Sequence, residues 1–128
     1  MKFSNMNKQQ LLLDSFKSEL DDSLLFAVIW NKSDSKELAS LNANDEYIEL
    51  TTSYLDSLEN CLNSLGFPSF QTYQLTALNM DSLHLIINFD NERFLGALID
   101  NSSVDIATLI NDSIPKLIET YKILREDN

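Results

Sequence analysis

Few residues of this chain could do chemistry. His84 is its one histidine and Cys61 its one cysteine. A Cys–His couple needs a thiolate beside an imidazole base and a third group to orient the base; no such motif accompanies either residue. His84 lies in Leu83-His84-Leu85-Ile86-Ile87, a strand-like run where a lone histidine is read as structural, with its hydrogen bond satisfied. A Ser-His-Asp triad stays open on paper in so Ser- and Asp-rich a chain, but nothing resembles the G-x-S-x-G turn. One Cys and one His do not build a zinc cage. No acidic residues follow the spacing of a calcium loop, and Asp21-Asp22 is read as a helix stop. Gly66 and Gly96 stand 30 residues apart (96 − 66), which excludes a glycine-rich phosphate loop. Glu46 and Glu49 are read as part of a solvated helix face, not as an acid/base pair. No catalytic residue, metal or cofactor is assigned, and the function is expected to lie in surfaces.

Composition narrows the class. A chain of 128 residues, 44% of them apolar, has the size of one domain, expected here over residues 1–128, and can bury a core without metal or disulfide staples. The net charge of −11, with nine basic residues scattered along the sequence, argues against a nucleic-acid partner and against anionic membrane surfaces. It suits solubility, or the steering of a basic partner. A lone cysteine permits no internal disulfide and fits a reducing compartment. Residues Met1 to Gln10 lack the apolar stretch of roughly 7–15 residues that a leader needs, and no apolar run of about 18 residues could span a bilayer. A cytoplasmic protein is expected, and the Asn-x-Ser sequences at Asn31, Asn101 and Asn111 are read as chance.

The elements that would position any site follow from hydrophobic period. Leu12, Leu13, Phe16 and Leu20 share one side of a helix over about Asn5 to Leu20. Leu24 to Trp30 is a continuous apolar run, predicted to be a strand covered on both faces. After the polar turn Asn31 to Ser35, residues Lys36 to Leu41 form a return strand at an edge, with charges of the kind edges carry. Asn44 or Asp45 can cap a second helix that ends at Leu65 with Gly66 beyond it. Its predicted buried stripe is Tyr47, Ile48, Thr51, Tyr54, Leu55, Leu58, Leu62 and Leu65, with Leu50 and Cys61 widening one flank. Phe70 to Leu78, Leu83 to Phe89 and Arg93 to Asp100 follow as a meander with short turns. Ser102 or Ser103 is expected to cap a last helix in which Ile106, Leu109, Ile110, Ile114, Leu117, Tyr121 and Leu124 keep one phase. Pro115 either kinks that helix or divides it. The fold class is α/β in the broad sense (α+β): a five-stranded antiparallel sheet with helices on both faces, in the order α-β-β-α-β-β-β-α.

That order resembles the roadblock / dynein-light-chain family, which includes the bacterial MglB-like proteins and shares a profilin-like sheet. The resemblance spans about Leu11 to Leu124. Leu24 to Trp30 followed by Leu38-Ala39-Ser40 is similar to the family's first hairpin, and Arg93-Phe94-Leu95-Gly96-Ala97-Leu98 to its fifth strand. One departure is the first turn, where the family often carries Asp-Gly and Asn31 to Lys36 has no glycine. The resemblance implies a non-enzymatic dimer, paired through the central helix and the edge strand after it, that serves as a scaffold or regulator of small Ras-like GTPases. On this sequence the implied interface comprises Tyr47, Leu50, Tyr54, Cys61, Phe70, Thr72, Gln74 and Thr76.

Two other classes compete. Acidic dimeric secretion chaperones, which bind an effector segment, have a similar size, but carry three strands before the middle helix and two after. A ligand-sensing or enzymatic module would need a pocket of convergent polar groups.

Overall fold

The computed structural model describes the backbone of residues 5–126 and the side chains of residues 8–126. Residues 1–4, the start of the segment read above for a leader, lie outside the described residues. The elements are α1 (Asn5–Leu20), one 3-10 turn (Asp21–Ser23), β1 (Leu24–Asn31), β2 (Lys36–Leu41), α2 (Tyr47–Leu65), β3 (Tyr73–Ala77), β4 (Ser82–Asn88) and β5 (Arg93–Asp100). A composite helix follows: α3 (Ile106–Thr108), a π turn (Leu109–Ser113) and α4 (Ile114–Glu126). The five strands form one sheet in the order β2-β1-β5-β4-β3, antiparallel at every pairing. Two strands precede α2 and three follow it. The third strand before Asp45 that a secretion chaperone would carry is absent among the described residues.

The unbroken apolar run of β1 has a direct cause. β1 lies between β2 and β5, and both of its faces are covered. Ala27 and Ile29 join Leu12, Leu13, Phe16 and Leu20 of α1 with Leu117 and Tyr121 of α4 in one core. Val28 and Trp30 join Ile48 and Leu55 of α2 in a second. Trp30 is fully buried, and its indole N–H donates to Thr52 Oγ1 at 3.2 Å, so the burial leaves no polar group unmet. The β1–β2 turn manages without glycine because Ser35 takes the left-handed conformation, φ 56°. The Lys32 N–H donates to the Glu92 carbonyl at 2.8 Å, and both the Ser33 N–H and hydroxyl donate to the Glu92 carboxylate.

Several local expectations are corrected. Neither Asn44 nor Asp45 is the N-cap of α2; that position is Glu46, without a side-chain cap. The Asn44 carboxamide is spent on the Glu46 N–H, at 2.8 Å, in the turn before the helix. The C-terminus is as expected: Gly66 sits at φ 73°, with its N–H on Asn63 and Leu62 and the Phe67 N–H on the Leu62 carbonyl, a Schellman ending. β3 is shorter than Phe70 to Leu78, because the residues before Tyr73 are tied instead by Asn88. That residue's backbone N–H binds the Thr72 carbonyl at 2.8 Å, and its amide the Phe70 carbonyl at 2.9 Å.

The last helix is capped by Asp105, which accepts from the Ala107 N–H and the Thr108 hydroxyl. Ser102 is already engaged with Asp100. Pro115 neither kinks a regular helix nor divides it. The π turn just before it widens the coil, giving the proline ring room against the carbonyl four residues back. The extra residue also shifts the phase: Leu109, Ser113, Ile114, Leu117 and Tyr121 are buried, whereas Ile106 and Ile110 are exposed.

Candidate functional site

α2 crosses the sheet face opposite α1 and α4. Only one line of it is buried, through Ile48, Thr51 and Leu55. Tyr54 and Leu65, expected in that buried stripe, instead join Leu50 and Cys61 on the outer flank. Leu50 is 66% exposed, Tyr54 45% and Leu65 60%, and Cys61 is an exposed free thiol. Their spacing of 4, 7 and 4 residues keeps them on one side of the helix. The exposed carboxylates Glu46 and Glu49 stand near Leu50 on the solvent side of this second apolar stripe, whereas Asp56 lies further round the helix and pairs with Lys32 at 3.2 Å.

Two side-chain bonds set where the stripe lies. Tyr47 Oη meets His84 Nε2 at 2.6 Å, and His84 faces Thr76 across the β3–β4 ladder. Two turns on, the Tyr54 hydroxyl donates to Gln74 Oε1 at 2.9 Å. α2 therefore runs antiparallel to β3 along the sheet's margin, and Leu50 lies between these anchors. β3 pairs only with β4, so its other edge carries unpaired backbone groups. The site is an apolar helix flank beside an open strand edge.

The implied interface residues divide into two sets. Leu50, Tyr54, Gln74, Thr72 and Thr76 come together along this margin, with Thr72 and Thr76 exposed, and Cys61 continues the line further along α2. Tyr47 and Phe70 turn inward and pack against the α2-side core. The Tyr47 ring lies edge-on to Phe26, at 4.7 Å, and to Trp30, at 6.0 Å. Its phenol, pushed up to about 12 by burial, stays protonated. Burial lowers the pKa of His84, which favours the neutral imidazole that shares this hydrogen bond with the phenol. A Cβ at Gly96 would lie 2.0 Å from Tyr47 Oη, so the phenol passes over β5 where only glycine admits it. A glycine within a strand signals such close approach, but not by which ring. Leu65 and the exposed Phe67 extend the apolar margin beyond the residues expected from the sequence.

No catalytic couple is assembled here. His84 is engaged by Tyr47, and Cys61 lies 14 residues further along α2 (61 − 47), about 21 Å of helix axis. Among the described residues no three His, Cys, Asp or Glu side chains gather to hold a metal, and no helix is long and apolar enough to cross a membrane.

No protein-family model matches the sequence, and no curated protein matches it. Solved structures do. The chain is similar to the gliding protein MglB from Thermus thermophilus, at 12% identity and TM-score 0.75, over 100% of this chain and 96% of that one. It is similar to Myxococcus xanthus MglB at 12% identity and TM-score 0.71, over 97% and 95%. A roadblock/LC7 domain from Streptomyces avermitilis matches at 11% identity and TM-score 0.62, over 88% and 93%. With these TM-scores over nearly the whole of both chains, the chain has the roadblock/LC7 fold.

Proposed function

We propose that this chain, folded as a single domain, is a cytoplasmic homodimeric scaffold without enzymatic activity that pairs through α2 and β3 and binds a small Ras-like GTPase across the paired helices. The observation that carries the reading is the apolar stripe Leu50–Tyr54–Cys61–Leu65 beside the unpaired edge of β3, in a chain with the roadblock/LC7 fold. Strand edges left open are an aggregation liability, and pairing with a second copy removes it by joining two sheets through β3. The two arginines, Arg93 and Arg125, line a cavity on the α1/α4 side, away from α2. The scaffold therefore acts by positioning, not by supplying a charge to a phosphoryl group.

Light scattering at micromolar concentration is expected to give a dimer mass for the wild type and a monomer mass for Leu50→Asp. A wild-type monomer that Leu50→Asp leaves unchanged would sink the pairing. Affinity capture from the native cell should recover a small GTPase with the wild type and much less with Leu50→Asp. Recovery of secreted effector proteins instead would point to chaperone activity.

A further inference from the structure

The two edges of the sheet are built differently. At β2 the exposed Lys36 and Glu37 stand on the edge, and its ladder with β1 is interrupted by a bulge beside Ile29 and Trp30. Charges and bulges are what keep a strand edge from pairing. β3 has neither. Its sequence is Tyr73-Gln74-Leu75-Thr76-Ala77, its ladder with β4 runs without a shift, and the whole stretch from Asn60 to Met80 carries no charged side chain. Like charges repel across an interface. In a chain of net charge −11, a neutral tract of this length suits a second copy, whereas a basic partner would find no carboxylate on it.

The ladder with β4 fixes which backbone groups face outward. The Asn88 N–H donates to the Thr72 carbonyl at 2.8 Å, and the Leu78 N–H to the Ser82 carbonyl at 2.9 Å. Bonded and non-bonded residues alternate in an antiparallel ladder. Thr72, Gln74, Thr76 and Leu78 therefore turn their backbone groups to β4, and Tyr73, Leu75 and Ala77 turn theirs to the edge that is unpaired among the described residues. Side chains divide the same way: Gln74 meets Tyr54 of α2, whereas Tyr73 and Leu75 pack on the α1/α4-side core. Two copies of β3 side by side must set outward groups against outward groups. Only a two-fold axis through Leu75 gives each of them a partner, with Tyr73 on the partner's Ala77, Leu75 on the partner's Leu75 and Ala77 on the partner's Tyr73. An axis through Gln74 leaves Ala77 unbonded, and one through Thr76 leaves Tyr73 unbonded.

We propose that two copies of this chain join through β3 in one fixed register, with the two-fold axis at Leu75, so that one sheet runs unbroken through both. This register rests on the α2–β3 pairing proposed above. A separate feature falls on the same axis. Tyr47 is anchored through His84 at the level of Thr76, and Tyr54 is anchored at Gln74. Leu50, between them on α2 and 66% exposed, stands level with Leu75 and meets the partner's Leu50 across the axis. The register also covers a residue outside the margin described so far. Leu78 is exposed just beyond the end of β3, with its side chain on the α2 side. It comes opposite the partner's Thr72, under the part of the second α2 that follows the partner's Tyr54.

The test is cysteine cross-linking of the full chain in a Cys61→Ser background, with the variants Leu75→Cys, Gln74→Cys and Thr76→Cys made singly. A thiol on the axis faces its own copy with about 5.5 Å between Cα atoms, within disulfide reach, while one a residue off the axis stands about 8 Å from its copy, beyond that reach. Mild oxidation is expected to link Leu75→Cys about tenfold faster than the other two. Amide exchange followed by NMR should be slow at Tyr73, Leu75 and Ala77 in the wild type and fast in Leu50→Asp, with Gln74 and Thr76 slow in both. Leu78→Asp should weaken the dimer about tenfold, by placing a charge in an apolar contact. Faster linking at Gln74→Cys or Thr76→Cys, a Leu78→Asp dimer of undiminished affinity, or wild-type amides at Tyr73, Leu75 and Ala77 that exchange as in Leu50→Asp overturns the register while the dimer stands. A wild type that stays monomeric removes the pairing itself. The exchange measurement needs no substitution in β3, so it decides the register even where a cysteine variant fails to assemble.

Discussion

Tyr47 and His84 form a small polar device inside an apolar layer. The phenol and imidazole satisfy each other at 2.6 Å, and the device tolerates burial only while the imidazole is neutral. Burial depresses the His84 pKa below its usual 6.5, so the unfolded chain takes up the proton first as pH falls. The contribution of this histidine to stability is thus fully present above pH 6.5 and is lost as pH drops through that value toward the folded pKa. Urea midpoints measured between roughly pH 7 and 5 should fall in the wild type and fall less in His84→Gln, which keeps a partner for Tyr47 without titrating. An equal slope in both proteins would remove His84 as the cause. At Asp90, burial works to raise the carboxyl, but bonds from Tyr121 and from the Arg93 and Glu92 backbone, with the Arg93 charge, outweigh it and hold the pKa below the usual value. Its contribution is present above about pH 4 and is lost only in stronger acid, a window separate from that of His84. From the sequence, His84 was legible as structural because a lone histidine on a strand has few other uses. Its partner was not legible, because Tyr47 lies 37 positions away and no local rule links a helix start to a strand interior.

Elements differed in legibility for the same reason. α1 and β1 were plain because their apolar positions meet a broad core. On α2 the apolar period marks too wide a stripe: Tyr54 and Leu65 sit within a quarter turn or so of its buried line, yet both are exposed, and the period alone does not say which side faces the sheet. The caps lie elsewhere than the sequence suggests because Asn44 has a nearer backbone partner in Glu46 and the Ser102 hydroxyl and N–H both donate to the Asp100 carboxylate, a competition local to each turn. The π turn left a trace, Pro115, but the sequence does not say whether a helix answers a proline by bending or by widening. The contact between α2 and β5 is testable as a contact between elements. Gly96→Ala drives a methyl into the Tyr47 ring, whose Cε1 and Cζ would stand at 2.6 and 2.7 Å, and should destabilise the fold by about 1–3 kcal/mol, as overpacking does. In a Tyr47→Ala background the same change should be nearly neutral, a coupling read from a double-mutant cycle of unfolding free energies. If the cost were the same in both backgrounds, something other than Tyr47 would be responsible for the glycine.

For the whole molecule, charge is the dominant variable. The proposed dimer brings together two chains of net charge −11, with Glu46 and Glu49 exposed near the apolar margin of each. Screening falls to about 10 Å at 0.1 M salt, so added salt should tighten self-association and at the same time weaken capture of a basic partner. Sedimentation and binding titrations from low to moderate ionic strength check the two opposite signs, and a partner whose affinity rose with salt would argue against electrostatic steering. Lys8 and Arg125 share one cavity, so the two described ends of the chain meet on the α1/α4 face, far from the pairing margin. The order of elements is therefore circular in space. A permutant closed between α4 and α1 and opened at the exposed turn around Met80, which is 90% exposed, would begin with β4 and finish with β3. The strand that an assembly would share would then be a detachable tail, open to exchange, trimming or donation in trans as a peptide.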